Sequence, residues 1–210
     1  MTQIKICGIT NLADARYASG AGANFLGFIQ HEQSPRFIDP TMAKDIIGWL
    51  YGAHTVGVFV NRDPEEVNRI CSLAGFEFAQ LHGGETLEYC QLIDHPIIKV
   101  FHVDSRTDAA DLIAEMSRFE DVAEYFLFDT GAEQEAGGTG KVFDWSRIQG
   151  ISTPRPFFVA GGLGPENVGQ AISRLGPFGV DVSSGVEESA GQKDFELIDA
   201  FVSAVRGDEE

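Results

Sequence analysis

The sequence lacks several features that mark specialised classes of protein. It has only three cysteines, Cys7, Cys71 and Cys90, and none of them lies in a CxxC or other metal-ligand spacing. The odd number argues against a disulfide framework, so reduced thiols and a cytoplasmic protein are expected. No apolar run approaches the roughly 20 residues of a membrane helix. The N-terminus has no basic segment followed by an apolar one, so no signal peptide is expected.

Lysine is also scarce. Only five of the 15 basic residues are lysines, against 32 aspartates and glutamates, and the formal net charge is -17. Such a surface repels nucleic acid and acidic membranes, so neither is expected as a partner. An acidic, lysine-poor surface is also typical of proteins that work in high salt, where screening relieves repulsion between like charges. Simple solubility is the alternative explanation.

Apolar, β-forming segments recur eight times along the chain, and a helical pattern follows each of them. Several are near-continuous apolar runs, as expected for parallel strands buried on both faces. The predicted strands are Ile4–Cys7, Phe25–Ile29, Thr55–Val60, Phe78–Leu81, Ile97–Val103, Tyr125–Phe128, Phe157–Ala160 and Gly179–Val182. The predicted helices are Leu12–Ala21, Thr41–Leu50, Pro64–Ala74, Thr86–Ile93, Asp108–Phe119, Trp145–Gly150, Pro165–Arg174 and Phe195–Val205. Eight βα units in one domain, residues 1–210, predict an α/β fold of the (β/α)8 TIM-barrel type, since an open doubly wound sheet rarely has so many.

Local signals support the predicted helix starts. Asn11, Asp63 and Thr107 are candidate N-caps, because their side-chain oxygens can accept from the free N–H groups of a first turn. Pro64 and Pro165 stand where a helix would begin, a position that tolerates proline.

In a barrel of this type, functional side chains follow the C-terminal ends of the strands. Cys7 ends the first predicted strand and is either a small buried hydrophobe or a group that faces the site. Asp129 follows the sixth strand, where partial desolvation would raise its pKa and let it hold a proton near neutrality. Arg36 lies in a loop stiffened by Pro35 and suits a substrate carboxylate. A loop-capping aspartate and a surface arginine are the alternatives.

Two loops that follow the seventh and eighth predicted strands contain glycine and serine. Their sequences are Ala160-Gly161-Gly162-Leu163-Gly164 and Asp181-Val182-Ser183-Ser184-Gly185-Val186-Glu187. In barrels these two loops commonly bind phosphate through backbone N–H groups, although glycines can also serve only tight turns. The predicted phosphate-binding residues are Gly161, Gly162, Ser183, Ser184 and Gly185. The residues predicted to shape the pocket are Gln80, His82 and Asp181.

Together, these motifs resemble those of the phosphoribosylanthranilate isomerase family. The segments that carry the resemblance are Lys5–Thr10, Ser34–Ile38, Val56–Asn61, Gln80–Gly83, Phe128–Thr130, Gly137–Trp145, Ala160–Leu163, Pro165–Val168 and Gly179–Glu187. Each motif alone is weak, but they follow the family order over essentially the whole chain. Two departures stand out: Gln30–Gln33 is more polar than the family's usual stretch, and Gly84 stands where aspartate is more common.

The resemblance implies an Amadori rearrangement in tryptophan biosynthesis. N-(5-phosphoribosyl)anthranilate would become 1-(2-carboxyphenylamino)-1-deoxyribulose 5-phosphate, without a metal or other cofactor. By the same resemblance Cys7 would be the general base, Asp129 the general acid and Arg36 the ligand of the anthranilate carboxylate. A thiol with a pKa of ~8.5 is mostly protonated at neutral pH, so a lowered pKa is expected for Cys7. The N-terminus of the helix that starts near Asn11 would contribute if it points at the sulfur.

Two other functions remain open at this stage. A related phosphosugar barrel enzyme, such as indole-glycerol-phosphate synthase or the histidine-pathway isomerase, would use a catalytic Lys/Glu set or an Asp pair. Here Cys7 ends the first strand and Lys5 lies deeper in it. A non-catalytic phosphate binder would tolerate loss of Cys7 or Asp129, and both are present. Monomer and homodimer, and a second aminoaldose substrate, also remain open.

Overall fold

Eight parallel strands form a closed barrel in which each strand neighbours the next in sequence and β8 pairs with β1. The computed structural model describes residues 1–130 and 144–207. The barrel strands are β1 (Gln3–Cys7), β2 (Phe25–Ile29), β3 (His54–Phe59), β4 (Phe78–Leu81), β5 (Ile97–Val103), β6 (Tyr125–Thr130), β7 (Phe157–Val159) and β8 (Gly179–Val182). The predicted (β/α)8 barrel is confirmed. That one domain spans 1–210 stays a prediction.

Helices surround the barrel. In the described ranges the α-helices are α1 (Leu12–Ala21), α2 (Pro40–Ile47), α3 (Pro64–Ala74), α4 (Leu87–Cys90), α5 (Ala109–Arg118), α6 (Val168–Leu175) and α7 (Phe195–Arg206). Two short 3-10 helices cover Trp145–Arg147 and Ser184–Val186. No helix in these ranges is long and apolar enough to cross a membrane.

An antiparallel hairpin, β9 (Glu187–Ser189) and β10 (Gln192–Lys193), follows β8 and is absent from the predicted pattern. Its polar strands are only three and two residues long, so they carry no apolar alternation that would reveal a strand. The hairpin matters because it carries two charged side chains, Glu187 and Lys193, back towards the end of β1.

Several predicted helix boundaries differ from the structure. The predicted helix Trp145–Gly150 is only a 3-10 turn, and Thr86–Ile93 shrinks to α4 with Thr86 as its cap. The motif Gly137–Phe143 lies outside the described residues.

Two of the predicted N-caps are confirmed and one is wrong. Asn11 and Asp63 accept hydrogen bonds from the first turns of α1 and α3. Thr107 is not a cap, because Asp108 accepts from the N–H groups that begin α5.

The predicted start at Pro165 is also wrong, since α6 begins at Val168. Asn167 instead makes two hydrogen bonds to its own loop, one from the Gly164 N–H and one to the Gly162 carbonyl. These bonds hold residues 165–167 in a turn that precedes the helix.

Aromatic rings fill the N-terminal end of the barrel. Phe25 meets Phe78, Tyr125 and Phe158 edge-on at centroid distances of 5.2 to 6.0 Å, and Phe178 stacks on Tyr125 at 5.0 Å. Above them, small and branched apolar side chains such as Val56, Ile98 and Leu127 complete a second core cluster that reaches up to Cys7. The interior is therefore packed from below, and the open end is the C-terminal one.

Candidate active site

An open cavity of about 110 Å³ lies at the C-terminal end of the barrel. The predicted site residues that line it are Cys7, Arg36, Gln80, His82, Asp129, Gly161, Gly162, Asp181, Ser183 and Ser184. The remaining lining residues, which the sequence did not single out, are Ile29, His31, Ser34, Val58, Val60, Ala160 and Leu163. His31 comes from the unusually polar loop, so that departure changes the cavity wall itself.

Gly185, also predicted to bind phosphate, lies beside the lining. A Cβ on Gly185 would collide with the carbonyl oxygen of Leu163. The absent side chain therefore allows the loop after β8 to pack directly on the loop after β7.

Cys7 is 7 % exposed at the end of β1 and lies opposite Gly27 of β2. A Cβ on Gly27 would lie 2.7 Å from the Cys7 Sγ, so this glycine makes room for the thiol. Burial raises the pKa of the Cys7 thiol, and the nearby charges of Lys5 and Lys193 oppose that rise without overcoming it. The expectation of a lowered pKa is wrong, because desolvation of the thiolate outweighs the two cations.

A buried ion pair lies next to the thiol. Lys5 is fully buried two residues before Cys7, and its Nζ is 2.8 Å from Asp181 Oδ2 on the neighbouring strand β8. Burial alone would lower the pKa of Lys5, but the charges of Asp181 and Cys7 raise it, so the ammonium stays protonated. The second oxygen of Asp181, Oδ1, has no hydrogen-bond partner in the described residues.

Asp129 is held by a chain of polar side chains on the far side of the cavity. Its Oδ2 lies 3.2 Å from His82 Nε2. The other ring nitrogen of His82, Nδ1, is 3.0 Å from Gln80 Nε2. Because the Gln80 amide N–H donates to Nδ1, the neutral ring carries its proton on Nε2 and donates it to Asp129. His102 fixes the same segment through a 3.0 Å contact with the His82 carbonyl.

Arg36 lines the cavity but is also bound by a carboxylate that the sequence did not single out. Its Nε and Nη2 donate to both oxygens of Glu187 at 2.7 to 3.0 Å. Lys193 lies 2.8 Å from the same carboxylate and is almost fully buried. The sequence held one weak signal for Lys193, which is the scarcity of lysine in this chain. In the structure Lys5, Lys99 and Lys193 are all buried.

The two glycine-containing loops also line the cavity. Gly161 and Gly162 have φ angles of 82° and 64°, in the left-handed region that favours glycine. The hydroxyl of Ser183 is buried and has no hydrogen-bond partner in the described residues. A short 3-10 helix starts at Ser184, which also lines the cavity, and backbone N–H groups at such a start suit an anion.

Within residues 1–130 and 144–207, no group of three or more His, Cys, Asp or Glu side chains could hold a metal ion. Cys71 and Cys90 are buried on α3 and α4.

Comparisons with known proteins agree with the geometry. Residues 4–204 match the model of the family described as N-(5'-phosphoribosyl)anthranilate (PRA) isomerase. The N-(5'-phosphoribosyl)anthranilate isomerase of Rubrobacter xylanophilus is 44% identical over 207 residues, covering 98% of this chain and 100% of the relative.

Solved structures are similarly close. A phosphoribosyl anthranilate isomerase from Thermotoga maritima is 38% identical with a TM-score of 0.89, over 99% of this chain and 100% of that one. Another isomerase was solved in complex with reduced 1-(o-carboxyphenylamino)-1-deoxyribulose 5-phosphate. It is 35% identical with a TM-score of 0.82, over 99% of this chain and 100% of that one.

Proposed function

Because the chain belongs to the N-(5'-phosphoribosyl)anthranilate isomerase family, we propose that it catalyses that isomerisation in tryptophan biosynthesis. Its substrate would be N-(5-phosphoribosyl)anthranilate and its product 1-(2-carboxyphenylamino)-1-deoxyribulose 5-phosphate. The observation that carries the proposal is a thiol, a carboxyl group and a guanidinium on the wall of one cavity, facing two loops suited to phosphate.

Asp129 is the general acid in this proposal. Its proton passes to the furanose ring oxygen, the bond from that oxygen to C1 breaks, and the anthranilate nitrogen forms a Schiff base with C1. The His82 Nε2–H, 3.2 Å from Asp129 Oδ2, then stabilises the carboxylate that remains.

Cys7 is the general base. Its thiolate removes the proton from C2, and the electrons move to form an enolamine, which tautomerises to the C2 ketone with a proton added at C1. The buried ammonium of Lys5 supplies a positive charge close to the sulfur and stabilises the thiolate that must form before this step. Since burial raises the thiol pKa, the thiolate is a minor species at neutral pH, and the rate depends on both a deprotonated Cys7 and a protonated Asp129.

The other contacts bind the two ends of the substrate. Gly161, Gly162, Ser183, Ser184 and Gly185 hold the phosphate through N–H and hydroxyl groups, and Arg36 holds the anthranilate carboxylate. Gln80, His82 and Asp181 shape the space between them. The protein would act on this small phosphosugar in the cytoplasm, as a monomer or a homodimer.

Substitution of each catalytic group tests the proposal. Loss of a positioned acid or base typically costs about 10²–10⁴-fold in rate, so Cys7→Ser and Asp129→Asn should each lower kcat by that factor. The assay follows the decay of phosphoribosylanthranilate generated in situ. A Cys7→Ser protein with near-normal kcat would rule out the base assignment, and a non-catalytic binder would show no turnover in any form.

Arg36→Met separates binding from chemistry. Loss of a charge-assisted hydrogen bond should weaken binding of the carboxylate-bearing substrate by about 1.5–3 kcal/mol and leave inhibition by inorganic phosphate unchanged. Equal weakening of both would assign Arg36 to the phosphate site instead.

A further inference from the structure

Among the described residues, the guanidinium of Arg36 uses only one of its two bidentate edges. Nε and Nη2 both donate to Glu187, at 2.9 and 2.7 Å in their shortest contacts. In the described residues Nη1 makes no hydrogen bond, so the edge formed by Nη1 and Nη2 is available on a side chain that lines the cavity. A planar guanidinium presents five N–H donors in a fixed fork, so a carboxylate that fixes one edge also fixes the direction of the other.

Glu187 is itself fixed by a buried cation. Lys193 Nζ contacts Glu187 Oε1 at 2.8 Å, the Cys7 carbonyl at 2.6 Å and the Ser183 carbonyl at 3.1 Å. Burial would raise the pKa of Glu187, but Arg36 and Lys193 together hold it below its usual range, so the carboxylate stays charged. One ammonium therefore joins the end of β1, the loop after β8 and the partner of Arg36.

The backbone at Gly8 lies close to this group. Gly8, at φ 81°, lies beneath the Arg36 side chain, and a Cβ there would be 2.8 Å from Arg36 Cδ and 3.5 Å from Glu187 Oε1. The stem of Arg36 thus rests on the backbone just after Cys7. The absence of a side chain at Gly8 therefore allows Arg36 and Glu187 to lie together beside the end of β1.

We propose that Glu187 is the positioning residue that orients Arg36 for the substrate carboxylate, with Lys193 keeping Glu187 ionised and tied to the end of β1. Glu187 touches no reacting atom. Its effect is to align the free guanidinium edge before substrate arrives, which reduces the cost of ordering on binding. The inference rests on the proposed role of Arg36.

Glu187→Gln tests it, because the amide has the same shape but loses the charge and presents an NH2 group to the guanidinium. KM for phosphoribosylanthranilate should rise about 10-fold or more, the value of a lost charge-assisted hydrogen bond, while kcat changes far less. The Kd of reduced 1-(o-carboxyphenylamino)-1-deoxyribulose 5-phosphate should rise by the same factor. Inhibition by inorganic phosphate should stay unchanged. Glu188→Gln, at the exposed neighbouring glutamate, is the matched control and should alter none of these.

A double-mutant cycle separates orientation of Arg36 from general support of the loop. In an Arg36→Met background, Glu187→Gln should have no further effect on KM, because the group it orients is gone. A further rise in KM there, or an equal loss of phosphate binding in the single variant, overturns the inference. If the Glu187→Gln protein does not fold, Glu187→Asp is the second variant. It keeps the negative charge but is one methylene shorter, so the carboxylate lies farther from Arg36. KM should rise and inhibition by inorganic phosphate should not change.

The two possible failures are distinguishable. If Arg36→Met leaves KM unchanged, the proposed role of Arg36 is wrong and the inference falls with it. If Arg36→Met raises KM and Glu187→Gln does not, only the inference is wrong.

Discussion

The contact between Gly27 and Cys7 allows the position of the thiol to be perturbed without changing the thiol itself. A Cβ on Gly27 would lie 2.7 Å from Sγ, whereas ordinary van der Waals contact begins at 3.4 Å, so Gly27→Ala must move the sulfur by most of an ångström or push β2 away. A misplacement of about 1 Å can cost roughly 10²-fold in rate. We therefore expect kcat to fall by about 10- to 100-fold.

The same crowding should cost some stability, about 1–3 kcal/mol for an overpacked core, which thermal melts will measure. Gly57→Ala is the matched control. Gly57 lies on β3, and its Cβ would meet Phe76 at 2.5 Å and Phe59 at 2.8 Å, away from the cavity. It should lower the melting temperature without a comparable loss of kcat. A folded Gly27→Ala protein whose kcat stays within about twofold of the parent, far short of the loss expected from displacement, would contradict the proposal that the thiol acts as base.

Three further expectations concern stability. Burial raises the pKa of Cys71 from 9.0 to about 12, so the unfolded thiol ionises first. Cys71 alone should therefore lower the free energy of unfolding by about 1.4 kcal/mol between pH 8 and 10, and denaturant titrations of Cys71→Val should lack that contribution. Gly20→Ala, at an exposed α1 position with nothing within 4 Å of the new Cβ, should stabilise the protein by about 0.5–1 kcal/mol, and a lower melting temperature would contradict this. With a net charge of -17, melting temperatures should rise between ~0.1 and ~1 M NaCl as the Debye length falls from about 10 to 3 Å; flat melts would mean that the acidic surface serves solubility alone.

The strands could be predicted closely from the sequence because a parallel barrel strand is buried on both faces. Runs such as Phe25–Ile29 and Ile97–Val103 are apolar almost throughout and match the structure at both ends. Short elements fixed by polar contacts could not be predicted in this way. The start of α6 depends on Asn167 hydrogen bonds to its own loop, and the hairpin β9–β10 has no apolar pattern at all.

The cavity residues at strand ends were also predictable, because the fold itself assigns those positions to the open end. Glu187 and Lys193 were not, since their importance comes from contacts between parts of the chain that only the folded barrel brings together. The predicted direction of the Cys7 pKa shift was wrong because burial also depends on the folded barrel. The sequence suggested a nearby helix, but it could not show how completely the thiol is buried.

The pairing of β1 with β8 has a consequence for the order in which the protein can become active during its own synthesis. Cys7 leaves the ribosome well before the groups around it, because Asp181 and Lys193 lie 176 to 186 positions from their partners Lys5 and Cys7. Contacts so distant in sequence form late, because the intervening loop must close first. A nascent chain that stops before β8 can contain seven of the eight strands and still have an unpaired Lys5 and half a cavity. The rate at which isomerase activity recovers during refolding would therefore report when the barrel closes. Circular dichroism, which measures total strand content, would change little in that step.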